Sequence, residues 1–269
     1  MKIQEVYCKS VLSRSGIYDV DYSVNPYIGC LHGCTYCYAR FFVPSKFRGL
    51  TWGDYVYPKV NAPTVLLKEL RRVKPGSILI SSITDPYQQV EEKFELTRKI
   101  LQVLVKRNFD VIIMTKSDLV LRDLDLIKRF KYISIGFSII SLNEEIRRAF
   151  EPNSPTIKRR LSALRMLKEN GVKTFVFLAP FIPILSERSL TELFEEFRAS
   201  SVDYVVVDRL NFSRRNMMSL DRSFMNFSSD IRFRVKDILL NHMDSYYSSV
   251  KESIEILAKH LNLIVYFSF

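Results

Sequence analysis

The run NPYIGCLHGCTYCYAR, residues 25–40, holds three of the four cysteines of this 269-residue chain. Cys30, Cys34 and Cys37 are spaced C-x3-C-x2-C, and Gly29 and Gly33 precede two of them. Glycine gives such a loop backbone angles that other residues rarely adopt. Cysteine thiolates are the usual ligands of iron–sulfur clusters, and three ligands leave one iron of a cubane open to a cofactor. The spacing therefore predicts a [4Fe–4S] cluster held by these three residues.

Two other interpretations of the cysteines remain open. Zinc could bind the three together with Cys8 or His32, although structural zinc sites usually combine two short ligand pairs that are well separated in sequence. This chain has one such pair and no second. Three unrelated buried thiols are the other alternative. Cys8, which stands apart, is expected to be a small buried apolar residue.

Composition sets the broad class of the protein. Hydrophobic residues make up 47% of the chain, enough for a sizeable core, and no run reaches the ~18 apolar residues of a membrane span. The first residues have no apolar signal segment, so a cytoplasmic protein is expected. Lys and Arg number 40 against 29 acidic residues, a net charge of +11. This balance favours an anionic partner, although a solvated lysine-rich surface produces the same balance.

Strands and helices are predicted to alternate along residues 22–207. Six apolar runs predict strands at residues 22–29, 77–83, 110–115, 132–140, 174–179 and 204–207. Helical periodicity is found at residues 64–74, 96–107, 119–130, 143–150, 157–170 and 190–199. This alternation is typical of a parallel sheet covered by helices, and six strands are fewer than a closed eight-stranded barrel needs. We therefore predict an α/β fold, a partial (β/α)6 barrel of the TIM type.

The pattern changes near residue 212, which gives the predicted domain boundary. Residues 1–212 are predicted to form the barrel with an N-terminal lead-in, and residues 213–269 a helical C-terminal extension packed on it. Within the extension we expect one long helix at residues 230–260 and a final strand in LNLIVYFSF.

Four motifs in order resemble the radical S-adenosylmethionine (SAM) superfamily. The cysteine run is followed by ITDPYQQVEEKFELTRKIL (83–101), FEPNSP (150–155) and APFIP (179–183), and together these are similar to the spore photoproduct lyase-like branch. The resemblance covers residues 25–184. It implies an enzyme that cleaves SAM reductively at a [4Fe–4S] cluster, forms a 5′-deoxyadenosyl radical and abstracts hydrogen from its substrate. It also implies a reductant such as a ferredoxin or flavodoxin.

The resemblance further implies SAM contacts at the cysteine loop and at the following strand ends: Tyr36, Thr84, Asp85, Ser138, Arg148, Arg160 and Ala179. Tyr36 and Ala179 are expected near the adenine, and Thr84 and Asp85 near the amino group. Ser138 is the candidate for the ribose or methionine part. The two arginines are candidates for the SAM carboxylate, because guanidinium groups suit carboxylates. Each also has a local alternative, such as a turn cap or a solvated helix face.

One position departs from the lyase. Ser82 stands where the lyase has a cysteine that returns hydrogen to its product, and a hydroxyl is a poorer hydrogen-atom donor than a thiol. Thymine-dimer repair by that route is therefore not expected. Tyr38, directly after the last cluster ligand, is the candidate catalytic residue for a hydrogen relay, and packing over the cluster is the alternative.

The substrate prediction rests on residues 208–234, where six arginines interleave with four phenylalanines. Basic and aromatic residues together suit phosphate neutralisation and base stacking, so a nucleic-acid substrate for repair or modification is favoured. A solvated loop over an apolar anchor explains the segment equally well. The alternative functions are a radical SAM enzyme on a peptide or small anionic metabolite, and a zinc-stabilised nucleic-acid-binding protein without catalysis.

Overall fold

The computed structural model describes residues 1–47, 49–213 and 216–269. The strands are β1 (Lys2–Ile3), β2 (Leu12–Arg14), β3 (Tyr22–Val24), β4 (Tyr27–Ile28), β5 (Tyr55–Pro58), β6 (Ser77–Ile80), β7 (Asp110–Thr115), β8 (Ile133–Ser138), β9 (Lys173–Phe181), β10 (Tyr204–Arg209) and β11 (Val265–Phe267). The α-helices are α1 (Ala62–Glu69), α2 (Glu91–Phe94), α3 (Leu96–Leu104), α4 (Leu124–Ile127), α5 (Glu144–Phe150), α6 (Ile157–Glu169), α7 (Leu190–Ala199), α8 (Met217–Phe224), α9 (Ser229–Asn241) and α10 (Met243–Leu261).

The main sheet has the order β11-β10-β9-β8-β7-β6-β3-β2 over the part of the chain that the structure describes. Neighbouring strands are parallel, except that β2 is antiparallel to β3. β3 and β6–β10 are the six strands predicted from the apolar runs. The sheet order ends at β2 and β11 rather than closing on itself. The predicted mixed α/β fold with a partial barrel is therefore confirmed.

The central strands are apolar because helices cover the sheet. Val111 and Ile113 of β7 are buried, and they belong to the same core as Leu101 of α3 and Leu164 of α6. Helix α6 begins where the Thr156 side chain accepts a hydrogen bond from the Arg159 N–H, which is the role of an N-cap. It ends just before Gly171, whose positive φ of 76° is typical of the glycine that follows a helix.

Four segments differ from the prediction. The strand predicted at residues 22–29 is two strands, β3 and β4, which lie in different sheets. Residues 44–63, for which no strand was predicted, contain β5, which pairs with β1 and β4 in a small separate sheet. The helix predicted at residues 119–130 is a 3-10 turn, Asp118–Asp123, followed by the short α4. The long helix predicted at residues 230–260 is two helices, because His242 leaves helical geometry with φ −134° and ψ 20°.

The C-terminal residues pack on the barrel at two places. Strand β11 extends the sheet by pairing in parallel with β10, as the predicted final strand. Leu220 of α8 and Val235 of α9 share a buried cluster with Ile140, Ile182 and Leu210, which follow β8, β9 and β10. Helices α8 and α9 therefore cover one side of the edge where the parallel strands end. Among the described helices, none combines the length and apolar character needed to cross a membrane.

Candidate functional site

The cysteine loop follows β4 and is largely buried. Cys30 and Cys34 are buried and Cys37 is half-buried. Gly29 has a φ of 84°, and a Cβ added there would lie 2.5 Å from the Tyr55 carbonyl oxygen. Gly33 has a φ of 65° and packs against Gly53. The loop therefore needs glycine at both positions beside its cysteines, as the sequence predicted.

Side chains from inside and outside the loop fix its carbonyl groups. Arg40 donates from Nη2 to the carbonyl oxygens of Cys34 and Thr35, both at 2.9 Å, and from Nε to that of Cys37 at 3.1 Å. Thr84 Oγ1 donates to the Gly29 carbonyl at 2.8 Å. The loop is thus held in one shape by the protein itself, and the predicted residue Thr84 serves that purpose.

Asp85 lies at the end of β6 and joins the loop to β7. Its carboxylate accepts hydrogen bonds from Thr115 Oγ1 at 2.7 Å and from the Lys116 N–H at 2.8 Å. His32 Nε2 of the cysteine loop lies 3.3 Å from Asp85 Oδ2. Burial opposes ionisation of Asp85, but His32 and these donors lower its pKa to about 2. Asp85 is therefore a carboxylate that ties the loop to the sheet.

A buried charged group lies beside the loop. Lys116 Nζ is 3.0 Å from Ser138 Oγ and 3.7 Å from Glu151 Oε1, and the side chain of Lys116 is 15% exposed. Arg160, fully buried, approaches Glu151 Oε2 to 2.5 Å. Tyr36 donates its hydroxyl hydrogen bond to the same glutamate. Lys116 and Arg160 therefore place two cations near the thiols, balanced by the carboxylates of Glu151 and Asp85.

The pKa shifts in this group indicate which of its side chains are charged. Burial lowers the pKa of Lys116, but the neighbouring Glu151 carboxylate outweighs burial, so that the pKa is raised. Burial likewise opposes ionisation of Glu151, and Arg160 with Lys116 lowers its pKa below the usual range. Lys116 is therefore a cation and Glu151 an anion at neutral pH.

The structure brings most of the predicted SAM-binding residues to this edge of the sheet. Ser138 Oγ also donates to the Ala179 carbonyl oxygen at 3.2 Å. Arg160 donates to the carbonyl oxygens of Ser138 and Pro155, so its guanidinium is engaged by protein groups. Arg148 is not brought to the group, because its side chain is exposed on α5. Its neighbour Arg147 is the buried one, and it donates to backbone carbonyl groups.

Tyr38 lies at the rim of the site beside Ser82. Its hydroxyl donates to the Ser82 carbonyl oxygen at 2.8 Å, while Ser82 Oγ accepts from Asn25 Nδ2 at 3.1 Å. The ring packs edge-to-face on Phe42, with 5.9 Å between centroids. Burial raises the pKa of Tyr38 to about 12, so the phenol keeps its hydrogen at neutral pH. Its catalytic role stays a prediction.

The donor set fits an iron–sulfur cluster better than a zinc ion. In the described part of the chain, no three His, Cys, Asp or Glu side chains converge as ligands of one metal ion. Each thiolate of a cubane binds a different iron, so such ligands surround a space instead of meeting at one point. Cys8 lies elsewhere, with its Sγ 3.4 Å from Asn61 Oδ1. Three thiols are soft donors suited to iron–sulfur chemistry.

Lys116 and Glu151 were missed as site residues by sequence reasoning. Lys116 directly follows the apolar run of β7, as Thr84 and Asp85 come after that of β6, so the strand-end rule that selected Asp85 also points to it. Glu151 lies within the FEPNSP motif but was not singled out. Both have ordinary charged side chains whose burial the sequence does not display.

The sequence model of the Radical SAM superfamily matches residues 24–197. An uncharacterized protein of Methanocaldococcus jannaschii is 40% identical over 185 residues, covering 69% of this chain and 70% of that protein. A protein of Pseudomonas phage M6 named radical SAM Nalpha-GlyT isomerase is 24% identical over 185 residues, covering 68% of this chain and 38% of its own length. Mycobacterial relatives that are 31% identical are longer, and this chain spans 63% of them.

The fold has counterparts among solved structures. A mutant of spore photoproduct lyase superposes with a TM-score of 0.76 at 16% identity, over 99% of this chain and 82% of the lyase. That likeness concerns the fold. The family match spans more than half of the chain, and the cysteine loop and the strand ends that carry the site lie within it. The chain therefore belongs to the radical SAM superfamily and is a radical SAM enzyme.

Proposed function

We propose that this enzyme binds a [4Fe–4S] cluster through Cys30, Cys34 and Cys37, cleaves SAM reductively, and acts on a nucleoside within DNA or RNA. The observation that carries the proposal is the juxtaposition of the buried cysteine loop with the buried charged group of Lys116, Glu151 and Arg160. When bound, the cluster supplies the electron that converts SAM into methionine and a 5′-deoxyadenosyl radical, which takes hydrogen from the substrate. A ferredoxin or flavodoxin is the proposed source of that electron.

The residues of the chain then have distinct tasks. The Lys116 ammonium pairs with the SAM carboxylate, in place of the exposed Arg148, and Ser138 Oγ, whose O–H donates to the Ala179 carbonyl, accepts from the ammonium and holds it in position. Arg160 holds Glu151 and the end of β8 rather than the ligand. These proposals follow from which charged groups are buried next to Cys34 and which are already engaged.

The other predicted contacts keep proposed positions near the cofactor. Tyr36 lies between two cluster ligands in the sequence, with its hydroxyl fixed on Glu151, and we place its ring near the adenine. Ala179 lies at the adjacent strand end, joined to Ser138. Thr84 and Asp85 shape the loop around the amino group. Tyr38 relays hydrogen at the rim, beside Ser82.

A nucleoside substrate is supported by two observations. The chain carries a net charge of +11. Forms of spore photoproduct lyase, which share this fold, are solved with a dinucleoside spore photoproduct, one of them also with AdoMet. We also propose that residues 213–269 act as an extension of the barrel that borders the substrate, because α8 contacts the cysteine loop.

The test is substrate-dependent SAM cleavage by the anaerobically reconstituted enzyme. SAM and dithionite are supplied with single-stranded DNA, RNA or a basic peptide, and 5′-deoxyadenosine is measured by mass. We expect DNA or RNA to accelerate its formation, and a substrate deuterated in its sugars and bases to pass deuterium into it. Acceleration by peptide alone, with no response to either nucleic acid, would contradict the substrate assignment while leaving SAM cleavage in place.

A further inference from the structure

A cavity of about 330 Å³ lies between α8 and α9, on the C-terminal residues. Its lining is mostly apolar and aromatic, with charged side chains among it. The residues that matter for binding are Phe212, Phe224, Met225, Arg232, Phe233 and Lys236. Small-molecule sites usually combine an apolar wall with a few polar groups in this way.

Two cations of α9 face this cavity without a carboxylate partner among the described residues. Arg232 and Lys236 are one helical turn apart. Arg232 Nη1 lies 2.7 Å from Met225 Sδ, a weak acceptor, and its buried Nε has no hydrogen-bond partner in the described chain. The lining also includes one carboxylate, Asp221, which is exposed. The charge balance therefore favours an anionic ligand.

An aromatic ring stands at the opening of the cavity. Phe233 lies on α9, and its side chain is 74% exposed. An exposed phenylalanine beside two unpaired cations is the combination that single-stranded nucleic-acid sites use for base stacking and phosphate neutralisation. A lipid-like anion would use the apolar wall but would have no need of an exposed ring.

The cavity is continuous with the structures around the cluster loop. Phe212 and Leu220 line the cavity and also belong to the buried cluster against which Tyr36 packs. On its other face, α8 bonds to the loop, since Ser219 Oγ donates to the Thr35 carbonyl at 2.7 Å. A ligand bound there would lie one helix away from the reacting centre.

We propose that this cavity binds one nucleotide of a single-stranded nucleic-acid substrate, outside the reaction site, with its base on Phe233 and its phosphate at Arg232 and Lys236. This inference rests on the proposed nucleic-acid function and adds a second contact that anchors the strand. Arg214 and Arg215, two of the six arginines in residues 208–234, lie outside the described residues.

The test is binding of fluorescein-labelled single-stranded DNA and RNA oligonucleotides to the full chain, followed by polarisation across a salt series. We expect Arg232→Gln with Lys236→Gln to weaken binding about tenfold and to reduce the salt slope by about 1.4, since each lost phosphate contact contributes about 0.7. Phe233→Leu should weaken binding about tenfold without changing the slope, as expected for one lost base stack. An abasic oligonucleotide should not respond to Phe233→Leu.

Matched controls separate the cavity from the general surface charge. Arg198→Gln with Lys259→Gln removes two exposed cations elsewhere, and Tyr18→Leu removes an exposed ring. All should bind within about twofold of wild type, a change small beside one lost stack. Equal weakening by the control pair, or no weakening by the cavity pair, overturns the inference. Dodecanoate serves as a probe for a lipid-like anion. If dodecanoate binds in the cavity and no oligonucleotide does, the inference is overturned as well.

The same variants keep this inference separate from the proposed function. If oligonucleotides accelerate 5′-deoxyadenosine formation but the variant Arg232→Gln with Lys236→Gln binds them normally, the cavity is not a nucleotide site and the proposed function stands. If neither DNA nor RNA binds wild type at low salt, both assignments to nucleic acid fail together.

Discussion

Lys116 is the residue whose charge we assign to the SAM carboxylate. Lys116→Gln should weaken SAM binding about 10- to 100-fold, the usual loss for a buried charge-assisted hydrogen bond of about 1.5–3 kcal/mol. Equilibrium dialysis against labelled SAM measures this on the cluster-loaded enzyme. Arg148→Gln is the matched control, because that side chain is exposed on α5, and it should bind SAM normally. If Arg148→Gln weakens SAM binding and Lys116→Gln does not, Arg148 is the partner of the SAM carboxylate.

Substitution of Tyr38 should affect substrate turnover without affecting SAM cleavage. Tyr38→Phe removes the O–H but keeps the ring that packs on Phe42. We expect 5′-deoxyadenosine to form at the wild-type rate while the final product is lost, as quantified by mass in one assay. Phe42→Leu tests packing alone and should leave both intact. Full product formation by Tyr38→Phe would assign the phenol to packing over the cluster.

At this scale the sequence singles out the three cysteines but not the side chains around them. The three cysteines are recognisable because their spacing is itself the signal. That Arg148 is exposed and Arg147 buried does not follow from the motif, because a motif gives no helix register and one residue along a helix turns a side chain by about 100°. Lys116 was missed because burial and the partner Glu151, 35 residues along the chain, come only with the fold.

At the level of elements, helix α8 is bonded to the cysteine loop. Ser219 Oγ donates to the Thr35 carbonyl, and Ser223 Oγ lies 2.7 Å from Thr35 Oγ1. Ser219→Ala with Ser223→Ala should cost about 2 kcal/mol, near 1 per hydrogen bond, and should speed cluster loss to a chelator. The decay of visible absorbance reports that loss.

A matched pair on α10 controls for serine removal as such. Ser248 and Ser253 donate only to carbonyl groups one turn earlier in their own helix. Their double alanine variant should lose its cluster at the wild-type rate. If both doubles lose it equally fast, α8 has no special part in holding the loop.

The turn before the first ligand has a steric requirement of its own. Gly29→Ala places a Cβ 2.5 Å from the Tyr55 carbonyl oxygen at a φ of 84°. It should destabilise the protein by about 1–2 kcal/mol from backbone handedness, with the clash in addition. Urea denaturation of the cluster-free protein measures this. The control is Gly16→Ala, with nothing within 4 Å of the added carbon, which should leave stability nearly unchanged. If both variants lose the same stability, the turn at Gly29 tolerates a side chain.

Elements with a strong internal pattern were predictable, and short ones were not. Strands β6–β10 were found because each is an apolar run between helices. Strand β5, four residues among glycines and prolines, gives no such run and depends on pairing with β1 and β4. The split between α9 and α10 was missed because the apolar pattern continues across His242, where the backbone turns away.

On the scale of the whole molecule, the C-terminal residues complete the barrel's buried surface. Without residues 213–269, Ile140, Ile182 and Leu210 would lose their cover from α8 and α9, and β10 would lose its neighbour β11. A chain ending at residue 212 should aggregate or bind the hydrophobic dye ANS strongly. A monomeric chain 1–212 that loads its cluster normally would contradict the proposed dependence of the barrel on the extension.

The overall architecture followed from the order of apolar runs, since parallel strands need helical crossovers and leave few alternatives. The substrate does not follow in the same way. The +11 charge favours an anionic partner, but it does not identify which side chains would select one substrate.

The central claim is that Cys30, Cys34 and Cys37 alone hold the cluster that cleaves SAM. The most direct test is anaerobic reconstitution with iron and sulfide, then dithionite and SAM, with 5′-deoxyadenosine measured by mass and the cluster by its EPR signal. We predict cluster and product in wild type and in Cys8→Ala, and neither in Cys30→Ala, Cys34→Ala or Cys37→Ala. Loss of the cluster in Cys8→Ala, or zinc in place of iron in the wild-type protein, would contradict the account.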